Sequence, residues 1–124
     1  MPAMQRFTDL EVWKLGHQMT LEVYRLTKAF PKDELYGLTS QLRRSMSSVP
    51  CNIAEGSKRK TGADYARFLN VAESSLAEAE YQVMLSRDLG FIATTAADAI
   101  IGNADTLARK LHNLRVKVEG ASKG

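Results

Sequence analysis

Between residues 35 and 56 the chain reads LYGLTSQLRRSMSSVPCNIAEG. Its apolar residues recur at spacings of three and four, which is the period of one face of an α-helix. They are Leu35, Leu38, Leu42, Met46, Val49 and Ile53. The pattern predicts a helix that begins near Asp33 and bends near Ser47, because Pro50 lacks an N–H and crowds the carbonyl group four residues earlier. Gly56 and the polar residues after it predict the end of this helix.

The segment before this helix carries a second helical pattern. Thr8 and Glu11 have the spacing of a capping box and predict a helix that begins at Thr8, and Pro31 predicts its end. Apolar residues cover more than one face of this segment, which is wider than one bundle seam. We therefore predict a homo-oligomer in which part of this surface meets a second subunit, and the alternative is packing against loops and the tail. The predicted interface residues are Trp13, His17 and Tyr24.

Two further helical patterns follow the central stretch. Thr61 and Asp64 form a weaker cap for the third, which Gly90 ends. The threonines at 94–95 are candidate caps for the fourth, which runs to Val118. No alternating strand pattern of useful length competes with the four segments. The sequence predicts an all-α fold, an up-down-up-down antiparallel four-helix bundle.

Length and composition limit the class of protein. A chain of 124 residues with 44% hydrophobic and 25% charged residues fits one domain. We place the bundle at residues 8–118, with an N-terminal tail at 1–7 and a frayed C-terminal tail at 119–124. The single Cys51 excludes an intramolecular disulfide and suits a reducing compartment. Neither a signal segment nor a membrane span is visible, which predicts a cytoplasmic protein.

A polar constellation lies on the second and third segments. Asn52 and Glu55 are one helical turn apart, and Ser75 and Glu78 repeat that spacing. We predict that these four side chains form a structural polar network, and the alternative is a carboxylate pair for acid–base chemistry or a metal. The Glu-x-x-His pattern of di-iron bundles, Gly-rich phosphate loops and nucleophile motifs are absent from the sequence. The sequence therefore predicts no enzyme, no metal and no cofactor.

Basic residues are clustered although the net charge is only +3. Such clusters can neutralise phosphates, which makes them candidates for nucleic-acid binding, and the alternative is solvated helix faces with ion pairs. The predicted nucleic-acid-binding residues are Arg43, Arg44, Lys58, Arg59, Lys60 and Arg67. A second group on the fourth segment comprises Arg109, Lys110, Arg115 and Lys117.

Three motifs together resemble a known family. They are FTDLEVWK at 7–14, the run from Arg44 through SVP at 48–50 to NIAEG at 52–56, and SSLAEAE at 74–80. The chain resembles the small bacterial four-helix-bundle proteins called 23S rRNA intervening-sequence proteins. That resemblance implies a homopentamer related to the nucleic-acid-binding accessory protein of diversity-generating retroelements, and it implies no established catalytic activity.

From these observations we expect a non-enzymatic oligomeric scaffold that binds structured RNA or other nucleic acid through its basic patches. The alternative is a protein–protein assembly module with no nucleic-acid role. An enzyme that uses Glu55 and Glu78 is the third reading. The expected partners are further copies of the chain, RNA or DNA, or another protein, and no membrane.

Overall fold

Four α-helices make up most of the computed structural model, which describes residues 6–123. They are α1 (Glu11–Thr27), α2 (Ser40–Ser57), α3 (Gly62–Asp88) and α4 (Thr94–Lys123). No strand occurs in that range. The predicted all-α four-helix bundle is confirmed.

The start of α1 differs from the prediction at Thr8. Phe7–Asp9 form a 3-10 turn, and α1 begins only at Glu11. Within the turn, Asp9 accepts a hydrogen bond from the Arg6 N–H at 3.4 Å, and the Asp9 N–H donates to the Arg6 carbonyl at 2.9 Å. Leu10, in extended geometry, precedes α1 and supplies no side-chain cap. The predicted capping box is wrong because this separate turn occupies its first position.

The connection between α1 and α2 also differs from the predicted continuous helix. A 3-10 turn at Lys32–Glu34 leads into a kinked segment at Leu35–Thr39, and α2 begins at Ser40. Gly37 breaks the path with φ −111° and ψ −112°, while the Glu34 side chain accepts a hydrogen bond from the Leu38 N–H at 3.2 Å. The helix predicted from Asp33 is therefore interrupted at Gly37.

Pro50 lies inside α2. It has no N–H for the Met46 carbonyl, which instead lies 3.4 Å from the hydroxyl oxygen of Thr20 on α1. The Thr20 hydroxyl donates at a shorter distance, 2.8 Å, to the Gly16 carbonyl of its own helix. The freed carbonyl thus faces a polar group across the α1–α2 interface, and the bend near Ser47 stays a prediction.

The boundaries of α3 follow the predicted signals, whereas those of α4 do not. The Thr61 hydroxyl accepts a hydrogen bond from the Asp64 N–H at 3.1 Å, which confirms this cap. Gly90 follows α3 with φ +80°, a conformation that suits glycine. The threonines at 94–95 lie inside the first turn of α4, and α4 runs to Lys123 instead of ending at 118. Residues 1–5 of the predicted N-terminal tail lie outside the described residues.

Side chains from all four helices fill one core. Val49, Ile53, Leu69, Leu107 and Leu111 have no exposed surface. Fully burying one such side chain contributes about 1.5–3 kcal/mol, so this core is the main stabilising element of the fold.

The order of the contacts shows how neighbouring helices run. Ser45 contacts Gln82, and Ser48 contacts Ser75, so α2 and α3 meet in opposite chain order. The same holds for α3 and α4, where Arg87 pairs with Asp98 and Glu73 with Arg115. Between α1 and α4 lies a cavity of about 250 Å³, lined by residues that include Leu15, Met19 and Ile100.

Candidate nucleic-acid interface

The junction of α2 and α3 is closed tightly by a glycine. Gly56 is buried in the last turn of α2, and a Cβ atom there would lie 2.8 Å from Phe68 Cβ and 3.0 Å from Tyr65 Cδ1. Only glycine leaves room for this approach. The contact fixes where α2 ends against α3, and it therefore fixes the loop that follows.

That loop displays three consecutive cations. Lys58, Arg59 and Lys60 are exposed and line a cavity of about 440 Å³ together with Thr61 and Asp64. Within residues 6–123, none of the three cations takes part in an ion pair. Their charge is therefore available to an anionic partner. We call Lys58, Arg59 and Lys60 the loop cluster.

An aromatic ring holds the arginines at this junction. The Arg59 guanidinium lies 5.1 Å from the centre of the Phe68 ring, and its Nε donates to the Glu55 carbonyl at 3.2 Å. Arg67 lies 4.6 Å from the centre of the same ring and forms an ion pair with Asp64 at 2.9 Å. Two guanidinium groups therefore contact one ring, and only that of Arg67 also has a carboxylate partner in the described chain.

The basic group on α4 is arranged differently from the loop cluster, because most of its members have carboxylate partners. The pairs are Arg109–Asp105 at 2.6 Å, Lys110–Glu11 at 2.7 Å and Arg115–Glu73 at 2.7 Å. The hydrogen bond from Lys110 lowers the pKa of Glu11, and the hydrogen bond to Glu73 raises the pKa of Arg115. Much of the charge of this second group is therefore compensated within the fold.

The two remaining predicted nucleic-acid-binding residues lie elsewhere on α2. Arg43 donates from Nε to the Thr27 hydroxyl at 2.8 Å, and its guanidinium lies 4.7 Å from the centre of the Tyr24 ring. Arg44 is exposed. Fourteen residues separate Arg44 from Lys58, a rise of about 21 Å along a helix. The predicted set therefore divides into the loop cluster with Arg67 at one end of α2 and the Arg43–Arg44 pair near its other end.

The predicted polar network is assembled around a serine that the prediction did not include. Asn52 Nδ2 donates to the carbonyl and the hydroxyl oxygen of Ser48, at 2.8 and 2.9 Å. The Ser48 hydroxyl lies 2.9 Å from the Ser75 hydroxyl of α3. Glu55 and Glu78 are exposed, and in the described part of the chain neither carboxylate is hydrogen-bonded to Asn52 or Ser75. The structure thus joins two of the four residues through Ser48.

A second polar link between α2 and α3 was missed in the sequence. The Ser45 hydroxyl donates to Gln82 Oε1 at 2.6 Å, and both residues are buried. The available signal was spacing: Ser45 lies three residues after Leu42, and Gln82 lies three residues after Ala79, which places both on the apolar faces of their helices. A polar residue at such a position predicts a buried hydrogen bond.

The three predicted interface residues of α1 lie in two groups. The Trp13 ring stacks on His17, with ring centres 4.8 Å apart, and meets Phe7 edge-on at 5.4 Å. Trp13 and His17 are half-buried, whereas Tyr24 is 43% exposed beneath Arg43. Their role in a subunit contact stays a prediction.

Within residues 6–123, no group of three or more His, Cys, Asp or Glu side chains is placed to hold a metal ion. Cys51 is exposed, and its Sγ lies 3.9 Å from a Glu55 carboxylate oxygen. In the same range, no helix is both long and apolar enough to pass through a lipid bilayer.

The fold and this site define a small helical-bundle protein with a cluster of cations at the α2–α3 junction that form no ion pair within residues 6–123. The chain belongs to the 23S rRNA-intervening sequence protein family, whose model matches residues 8–113. The resemblance drawn from the three sequence motifs is therefore confirmed. The family comparison assigns no enzymatic activity.

A solved structure shares this fold. It is the crystal structure of a protein of unknown function from the S23 ribosomal protein family of Bacteroides thetaiotaomicron. The TM-score is 0.75 at 20% sequence identity, and the match covers 84% of this chain and 97% of the other. At that identity the similarity concerns the fold alone. No curated protein matches the chain.

Proposed function

We propose that this protein is a non-enzymatic, homo-oligomeric scaffold that binds structured RNA or other nucleic acid through the loop cluster. The observation that carries the proposal is the contrast between the two basic groups. Three cations of the α4 group have carboxylate partners, whereas within residues 6–123 the loop cluster has none. Unpaired, exposed cations can release counterions from a phosphate backbone without first breaking an ion pair.

Assembly would strengthen this interaction. One subunit has a formal net charge of only +3, which is weak for binding nucleic acid. Several copies of the loop cluster on one particle would engage one strand together, so each further contact becomes intramolecular. The homopentamer implied by the family resemblance is the oligomer we propose.

Salt dependence of binding tests the proposal. Fluorescence anisotropy of a labelled, structured RNA would be measured with the untagged protein across a series of salt concentrations. We expect log affinity to fall linearly with log salt, with a slope of about −0.7 to −0.9 per neutralised phosphate. Absence of binding at low salt would overturn the proposal.

A matched pair of variants tests whether the loop cluster contacts the phosphates. Lys60→Ala removes one cation from each loop cluster and reduces the salt slope by about 1 for each subunit that engages the strand. Arg109→Ala removes the same charge from a cation already paired with Asp105, so the slope stays near that of the unaltered protein. Equal slopes for the two variants would contradict the assignment to the loop cluster.

The second candidate function is a protein–protein assembly module with no nucleic-acid role. Large apolar side chains exposed on several elements favour it. They include Leu21, Tyr36, Tyr81, Leu89 and Val116. Under this function, affinity purification recovers a protein partner while RNA binding is absent at every salt concentration.

A further inference from the structure

A second surface of the molecule combines aromatic rings with cations. Tyr24, Leu35, Tyr36, Arg43 and Arg44 line a cavity of about 300 Å³ together with two hydroxyl-bearing residues. The cavity is a shallow groove that is open to solvent along much of its surface. The lining contains no carboxylate. The cavity therefore favours an anionic partner that also has an apolar face.

Tyr36 is the most unusual residue of this surface. It is 93% exposed, and it lies directly before the kink at Gly37. A tyrosine usually covers most of its ring when it serves packing. The exposure of the Tyr36 ring therefore points to a contact with a partner.

Tyr24 and Arg43 give the cavity a preformed wall. The Arg43 guanidinium lies 4.7 Å from the centre of the Tyr24 ring, and two hydrogen bonds to α1, to the Thr27 hydroxyl and the Tyr24 carbonyl, hold it there. A guanidinium plane fixed in this way stacks on bases, as do tyrosine rings. Arg44 next to it is exposed and supplies a charge for a phosphate.

We infer that this cavity binds unpaired bases of a single-stranded nucleic acid, which stack on Tyr36 and on the Tyr24–Arg43 pair. Tyr24 then faces the ligand, and the subunit contact predicted for α1 is left to Trp13 and His17. The inference rests on the proposed function and adds a class of ligand to it: loops or single strands rather than duplex alone. It also separates two roles by place. The loop cluster neutralises phosphates without regard to base pairing, whereas the aromatic cavity takes only bases that are free of a duplex.

Single-strand preference provides the test. Anisotropy would be measured with a labelled oligoadenylate of about ten nucleotides, within the site size of single-strand-binding folds, and with an RNA duplex of the same length. Tyr36→Ala is expected to weaken oligoadenylate binding by about 5- to 150-fold and to leave duplex binding and the salt slope unchanged. Tyr81→Ala is the matched control, because Tyr81 is 61% exposed but lies outside the cavity lining.

Each other outcome has a definite meaning. Unchanged oligoadenylate affinity of Tyr36→Ala would overturn the stacking site, and a reduced salt slope for Lys60→Ala in the same experiment would leave the proposed function standing. If the unaltered protein binds neither the oligoadenylate nor the duplex, both the stacking site and the proposed function are overturned. A change in the particle mass of Tyr36→Ala, measured by light scattering, would assign the surface to contact between copies and would also overturn the inference.

Discussion

Ser45 and Gln82 form a buried hydrogen bond of 2.6 Å that joins α2 to α3. Both residues are almost fully buried, and the Ser45 hydroxyl also lies 3.2 Å from the Leu42 carbonyl. An amide oxygen in such a place needs a donor, because an unsatisfied buried acceptor costs about 1–3 kcal/mol. The bond therefore fixes the register of α2 on α3 as well as adding stability.

Ser45→Ala is expected to lower the free energy of unfolding by about 1–3 kcal/mol, because Gln82 Oε1 loses its donor. Urea denaturation followed by circular dichroism measures this change. Ser47→Ala is the control, since the Ser47 hydroxyl bonds only to the Arg44 carbonyl of its own helix in the described structure. Equal losses for the two variants would contradict the importance of the Ser45–Gln82 bond.

Gly56→Ala is expected to destabilise the protein by about 1–3 kcal/mol, because the new methyl group meets Phe68 and Tyr65 at 3.0 Å or less. Gly102→Ala provides the opposite case. Nothing lies within 4 Å of a Cβ atom at Gly102, which is inside α4, so alanine there should stabilise by about 0.5–1 kcal/mol. Thermal denaturation of both variants compares them, and a stabilised Gly56→Ala would show that α2 and α3 can separate without cost.

Asn52→Ala is expected to destabilise the protein more than Glu55→Ala, by roughly 1 kcal/mol. Asn52 donates two hydrogen bonds to Ser48, whereas within residues 6–123 the exposed Glu55 carboxylate accepts only a weak hydrogen bond from the Cys51 thiol, at 3.9 Å. Replacing Glu55 should stay within about 0.5 kcal/mol. Chemical denaturation of both variants measures the difference in the free energy of unfolding. A larger loss for Glu55→Ala than for Asn52→Ala would show that Glu55 belongs to the structural network.

The ion pair between Glu11 and Lys110 predicts a dependence on pH. The hydrogen bond from Lys110 lowers the pKa of Glu11 below its ordinary value of 4.5. A carboxyl group whose pKa is lowered in the folded state stabilises above its unfolded pKa, and this contribution is lost as the pH falls through the folded pKa. Glu11→Gln should therefore be less stable than the unaltered protein near neutral pH and equally stable in strong acid.

Denaturation at about pH 7 and at about pH 2 measures this effect, since the two conditions lie on either side of the transition. Glu78→Gln is the control, because within residues 6–123 its carboxylate takes part in no ion pair. A stability difference for Glu11→Gln that is the same at both pH values would contradict the assignment.

Sequence patterns predicted the elements better than their boundaries. The apolar spacing gave all four helices, since burial of one face dominates their stability. Thr61 and Gly90 acted as predicted because their signals are local. Thr8 did not, because a 3-10 turn through Asp9 competes with the helix for the same residues. At the break at Gly37 the Leu38 N–H donates to the Glu34 carboxylate, a side-chain cap that periodicity does not encode.

The sequence predicted which basic residues form the candidate site, but it did not predict which of them form ion pairs. The cations of the loop cluster and of α4 look alike in the sequence. Only the fold shows that Lys110 forms an ion pair with Glu11 of a distant helix, while Lys60 takes part in no ion pair within residues 6–123. Likewise, Tyr24 and Tyr36 line the same cavity because the turn between α1 and α2 brings them together, which the sequence pattern does not show.

The contact between α1 and α4 has a consequence for the folding kinetics. Glu11 and Lys110 are separated by 99 residues, whereas Arg43 and Thr27 of the α1–α2 interface are separated by 16. Helical bundles fold fast through such local contacts, and a distant closure costs more chain entropy. We expect α1 to close on α4 after the transition state, so that Ile100→Ala, which enlarges the cavity at this interface, accelerates unfolding and leaves the folding rate nearly unchanged. The packing between α1 and α4, the last interface to form, would then determine the lifetime of the native state.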